Sequence, residues 1–124
     1  VVHCTAALAR ELDPTQLLAR TVFPFRGQII ASEPLPATVA GAFPAFAMSS
    51  NFGYEYFRMA DGRFVVGGQR WSVPGEQNGL LDDAEVEPRI TANLRRWVEH
   101  HFPLLAGVPL PHVWTGIMAG TPDG

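Results

Sequence analysis

Residues 53–71 read GYEYFRMADGRFVVGGQRW, two runs rich in β-branched and aromatic residues on either side of Ala60-Asp61-Gly62. Asp-Gly between such runs is a strong hairpin signal, because a two-residue turn of this kind needs positive φ at both positions. Strand alternation then puts Tyr54, Tyr56 and Arg58 on one face and Glu55, Phe57 and Met59 on the other. Gly67 and Gly68 in the second arm point either to close approach by another backbone or a ligand, or to a simple strand bend.

Working outward, Val1 to Cys4 reads as a short buried strand, and Ala6 to Asp13 as one or two helical turns stopped before Pro14. Thr21 to Pro36, TVFPFRGQIIASEPLP, reads as a strand around Gly27 closed by prolines, and Pro34 to Pro44 as a loop. Ser72 to Asp83 is a polar loop. Val86, Ile90, Leu94, Trp97, Val98 and His101 follow helical spacing, with Pro88 suited to the first turn and Phe102-Pro103 to the stop. PHVWTGIMAG, residues 111–120, reads as a last strand. Five or six clustered strands with two helices predict an α+β fold with a largely antiparallel sheet.

The chain has 124 residues, 47% of them hydrophobic and 17% charged, enough for one domain with one core. Nine cations against twelve acids, a net charge of −3, exclude a nucleic-acid partner. All nine cations are arginine, so there is no Schiff-base or P-loop lysine. A lone Cys4 excludes an internal disulfide framework and a cysteine-built zinc site. No apolar run is long enough to span a bilayer, and the opening residues do not resemble a signal peptide. A soluble, cytoplasmic domain is expected. Both ends look like cuts through a larger chain.

His100 and His101 are adjacent on the predicted helix and point about 100° apart, so they do not form a chelating pair; no metal site is expected. The acids Asp82, Asp83, Glu85 and Glu87 suit the start of the helix that follows. No G-x-S-x-G elbow is present, and VVGGQR is not a dinucleotide fingerprint. What remains is a candidate concave surface: Tyr54, Tyr56, Arg58 and Gln69 on the hairpin, with Trp114 and Met118 on another strand. Aromatic walls with a few polar groups suit a small-molecule site. The same residues also suit an aromatic core face with a snorkelling arginine, which the residues by themselves favour.

Arg26-Gly27-Gln28 after a proline-bearing run, Tyr56-Phe57-Arg58, Asp61-Gly62-Arg63, Gly67-Gly68, Phe102-Pro103-Leu104, and Trp114-Thr115-Gly116 before Thr121-Pro122-Asp123-Gly124 occur in this order. Over nearly the whole chain they resemble the middle of the FAD-dependent amine and amino-acid oxidases of the D-amino-acid oxidase superfamily, and most of all the gamma-glutamylputrescine oxidases. The resemblance implies a substrate domain of antiparallel sheet inserted into a flavin domain. Residues 1–20 would be the edge of the flavin domain and the crossing segment, 21–120 the substrate domain, and 121–124 the start of the return.

It also implies oxidation of an amine C–N bond by hydride transfer to FAD. Tyr54, Tyr56, Gln69 and Met118 would bind the substrate, and Gly120, Thr121 and Asp123 would contact the cofactor. No catalytic residue is assigned. Met118 stands where glycine-oxidase-type relatives carry a carboxylate-binding arginine, which favours an amine over an α-amino acid. Gly116 stands where sarcosine-oxidase relatives carry a flavin-linked cysteine, so covalent attachment from this strand is excluded. The 124 residues lack the G-x-G-x-x-G fingerprint, so alone they are expected to be inactive, to hold no FAD, and to self-associate through the surface that would face the flavin domain. The alternative is a non-catalytic binding module derived from the same fold.

Overall fold

The computed structural model describes residues 5–122; the strand expected over Val1 to Cys4 and the expected cofactor contact Asp123 lie outside them. The strands are β1 (Phe23–Ala31), β2 (Met48–Ser50), β3 (Glu55–Ala60), β4 (Arg63–Gly68) and β5 (His112–Gly120), in the spatial order β2-β3-β4-β1-β5. Every pairing is antiparallel. The fold is therefore α+β, as the sequence predicts.

The hairpin forms where Asp-Gly demands it. Asp61 and Gly62 take φ of 49° and 73°, and Ala60 pairs with Arg63 across the turn. The first arm alternates as expected, with Phe57 and Met59 packed against the core. β1 pairs along its whole length with β5, from Phe23 opposite Gly120 to Ala31 opposite His112.

The long helix spans Pro88–His101, and in chain order it is α4, after α1 (Ala9–Leu12), α2 (Leu17–Thr21) and α3 (Ala37–Ala40). Glu87 caps α4, its side chain accepting the Arg89 N–H at 3.0 Å. The expected periodic set starts one residue too early, because Val86 precedes the cap and is exposed. Ile90, Leu94 and Val98 are fully buried against Ile30, Phe64 and Val66 of the sheet. Phe57, Phe64, Trp97 and Phe102 complete this core, with ring centroids 5.1 Å apart for both Phe57–Phe102 and Phe64–Phe102.

Several short elements differ from the sequence reading. The stretch expected as a loop over Pro34 to Pro44 holds the single turn α3, and α2 was not expected at all. The polar loop after β4 is wound into 3₁₀ turns over Arg70–Ser72 and Pro74–Gln77. None of these is long enough to show a 3.6-residue period, and β2, at three residues, is too short to show alternation.

Candidate functional site

The register assigns each strand residue to a face. Glu55, Phe57, Phe64, Val66 and Ile30 face α4; Tyr56, Arg58, Gly67, Phe25, Gly27, Trp114, Gly116 and Met118 face the other way. This second face keeps Phe23, Tyr54, Trp114 and Met118 exposed. It carries a hollow of about 220 Å³ lined by Phe25, Phe52, Tyr54, Tyr56, Arg70 and Met118, with Gly53 and Gly68 at its margin.

Glycine makes that hollow possible. A Cβ on Gly27 would lie 2.9 Å from Met118 Sδ and 3.4 Å from the Tyr56 hydroxyl, so Met118 and Tyr56 converge over a bare stretch of β1. A Cβ on Gly67 would lie 2.6 Å from Tyr56 Cζ, so the tyrosine ring lies against the backbone of β4. At Gly68, φ is +123° and the close neighbour is the backbone of Tyr54 and Glu55. The close approach expected at the glycine pair is thus made by a side chain at one residue and by main chain at the next.

Tyr54, Tyr56 and Met118 meet in this hollow. Gln69 does not. Alternation would place it beside Gly67, but the strand ends at Gly68, and the positive φ of Gly68 and Gln69 (60°) turns the chain. Gln69 is instead buried on the helix side, its amide donating to Glu55 Oε1 at 2.7 Å. Arg70 takes its place in the hollow.

The sequence reading missed Arg70 for that reason, since no strand period predicts a reversal between neighbours. Its guanidinium carbon sits 3.9 Å from the centroid of the Phe25 ring. Nη1 donates to the Glu76 carbonyl at 2.9 Å and to Asn78 Oδ1 at 3.2 Å. These partners are near because the chain returns after the turns: Asn78 bridges to Phe25, on β1. The result is a fixed positive charge at the edge of an aromatic hollow.

Burial raises the pKa of the Tyr56 phenol above its ordinary value of 10.0, and the Arg70 charge partly opposes the rise. At neutral pH Tyr56 is therefore a neutral hydroxyl, able to donate one hydrogen bond and accept others. Arg58 and Trp114 share its face but line a separate hollow with Ala31, Arg63, Val65 and His112. Of the expected cofactor contacts, Gly120 closes β5 opposite Phe23 and Thr121 follows it, exposed. Among the described residues no group of three or more His, Cys, Asp or Glu is arranged to hold a metal ion, and no helix is long and apolar enough to cross a membrane.

The model of one protein family, FAD dependent oxidoreductase (DAO), matches residues 1–124. The chain belongs to that family. No curated protein matches it. Membership implies FAD as the cofactor of the full-length protein. The open face leaves room for one side of such a site: a Cβ on Gly116 would meet nothing within 4 Å, and the exposed apolar side chains of Trp114 and Met118 stand two residues to either side on the same face. The 124 residues of this DAO chain contain no G-x-G-x-x-G, the element that grips a dinucleotide pyrophosphate.

Proposed function

We propose that residues 21–120 are the substrate-binding part of an FAD-dependent oxidoreductase that oxidises a C–N bond of an amine, with a gamma-glutamylputrescine-like substrate. Residues 1–20 and 121–124 would adjoin its flavin-binding part. The observation that carries the reading is Met118 beside Tyr56 over Gly27. A thioether cannot pair with a carboxylate, which favours an amine whose oxidised carbon bears none.

In this reading Trp114, Gly116, Gly120 and Thr121 hold the cofactor side, and FAD when bound accepts the hydride. The chain's own residues do the positioning. Phe25, Tyr54 and Met118 wall the hollow and exclude water from the alkyl chain of the amine. The Tyr56 hydroxyl accepts a hydrogen bond from the amine nitrogen or donates one to it, according to its protonation. Arg70, at the edge of the same hollow, pairs with an acidic group remote from the reacting amine, such as the carboxylate of a glutamyl tail.

The test is steady-state kcat/KM of the full-length protein on gamma-glutamylputrescine, putrescine, glycine, sarcosine and D-alanine. The expected order puts gamma-glutamylputrescine first and the amino acids last. Met118→Arg places an unpaired charge in the hollow and should lower turnover of the amine by about 10²-fold, a loss of roughly 2–4 kcal/mol in transition-state binding. Arg70→Ala should raise KM for gamma-glutamylputrescine and leave putrescine unaffected. A wild type that prefers the amino acids overturns the substrate assignment.

A further inference from the structure

The opposite side of the sheet holds another cavity, of about 470 Å³, whose wall includes Glu55, Phe57, Trp71, Trp97, His101 and Phe102, with the polar Ser50, Asn51 and Gln69. Glu55 is 2% exposed. Its Oε1 accepts both available donors, the Gln69 amide at 2.7 Å and the Trp71 indole N–H at 3.0 Å. Both donors are neutral. Among the described residues Oε2 accepts no hydrogen bond and is not fully enclosed, and Glu55 lines the cavity. No arginine or histidine nitrogen among them lies within 4.0 Å of this carboxylate, the ion pairs there belonging to Glu33.

A buried carboxylate needs a counter-charge or enough donors to replace its water, and half of this one has neither. Aromatic rings line the same cavity: Phe57, Trp97 and Phe102 pack on one another with centroids 5.1–5.6 Å apart, and His101 stacks on Trp97 at 4.6 Å. Ring faces attract cations through their quadrupole, and they solvate the alkyl groups of an organic cation better than water does. A metal ion would want several oxygen ligands, which this wall does not supply.

We propose that the aromatic-lined cavity beside Glu55 is a binding site for an alkylated ammonium group, distinct from the hollow on the open face. The carboxylate supplies the charge and the rings accept the alkyl groups. Trp71, half-exposed and tied to Glu55, forms the rim through which the ligand enters. The group can belong to a small free amine or to a lysine side chain of a partner.

The test is isothermal titration calorimetry on the full-length protein with choline, its neutral isostere 3,3-dimethylbutanol, and a short peptide bearing trimethyl-lysine. Saturable choline binding at least about tenfold tighter than the alcohol is expected, because only the cation engages the carboxylate and the ring quadrupoles. Tighter binding of choline than of the peptide marks a free amine as the ligand; the reverse marks a partner side chain. Glu55→Gln keeps the shape of the acceptor and should weaken binding at least tenfold. Trp71→Leu, at a half-exposed position, should weaken it severalfold. Met118→Arg, on the other face of the sheet, should leave it unchanged. Equal binding of choline and the alcohol, no saturable binding of either cation, or full binding by both Glu55→Gln and Trp71→Leu overturns the proposal.

Discussion

The two faces of one sheet are built to opposite rules. Toward α4, Ile30, Phe64, Val66, Ile90 and Leu94 are all fully buried, and aromatic rings fill the space between them. On the other side Phe23, Trp114 and Met118 stay 42–47% exposed, and glycines stand where side chains would otherwise fill the surface. The first face is closed by side-chain volume; the second is kept open by its absence. That contrast separates residues that hold the fold from residues that shape a site.

The sharpest way to break the contrast is truncation on each face. Leu94→Ala should cost about 2–5 kcal/mol in a denaturant titration, because it empties a fully buried position. Trp114→Ala, 44% exposed, should cost under about 1 kcal/mol despite removing a larger side chain. Equal losses would mean that the open face is packed in solution.

Adding a methyl group probes the same difference from the other direction. Gly67→Ala drives a Cβ into the Tyr56 ring and should cost about 1–3 kcal/mol, as overpacking does. Gly116→Ala meets nothing within 4 Å and should stay within about 0.5 kcal/mol of wild type. The pair of melting curves tells a filled glycine site from an empty one.

Titration gives the two smallest effects. The Tyr56 pKa is raised in the folded chain, so its contribution is complete below pH 10 and is lost as pH rises through the folded value. The stability of wild type should therefore fall more steeply above pH 10 than that of Tyr56→Phe. Glu33 titrates at the acid end. Arg63 at 2.8 Å and His112 at 2.9 Å hold its carboxyl below the ordinary 4.5, the Arg63 hydrogen bond acting most strongly. Its stabilisation is full above pH 4.5 and is lost as pH falls through the lower folded value. The melting-temperature gap between wild type and Glu33→Gln, small because the group is exposed, should close on acidification below pH 4.5.

Where structure rests on local chemistry, the sequence was legible by itself. The Asp61-Gly62 turn, the alternation of Tyr54, Tyr56 and Arg58 against Glu55 and Phe57, the stripe Ile90, Leu94, Val98 and the stop at Phe102 each follow from a repeat or a turn rule spanning a few residues. Those elements suffice for an antiparallel α+β fold. Which residues meet in the hollow was decided elsewhere. Convergence of Met118 and Tyr56 over Gly27 depends on the register of β1 against β5 and against β4, which are long-range pairings. The exchange of Gln69 for Arg70 depends on two successive residues with positive φ, a reversal that no two-residue period contains. Glu55 reads from the sequence as one more core-facing position of a strand. Only the packed structure sets it, as a buried carboxylate, beside an aromatic-lined cavity, because a side chain's partners come from whatever the fold brings to its face.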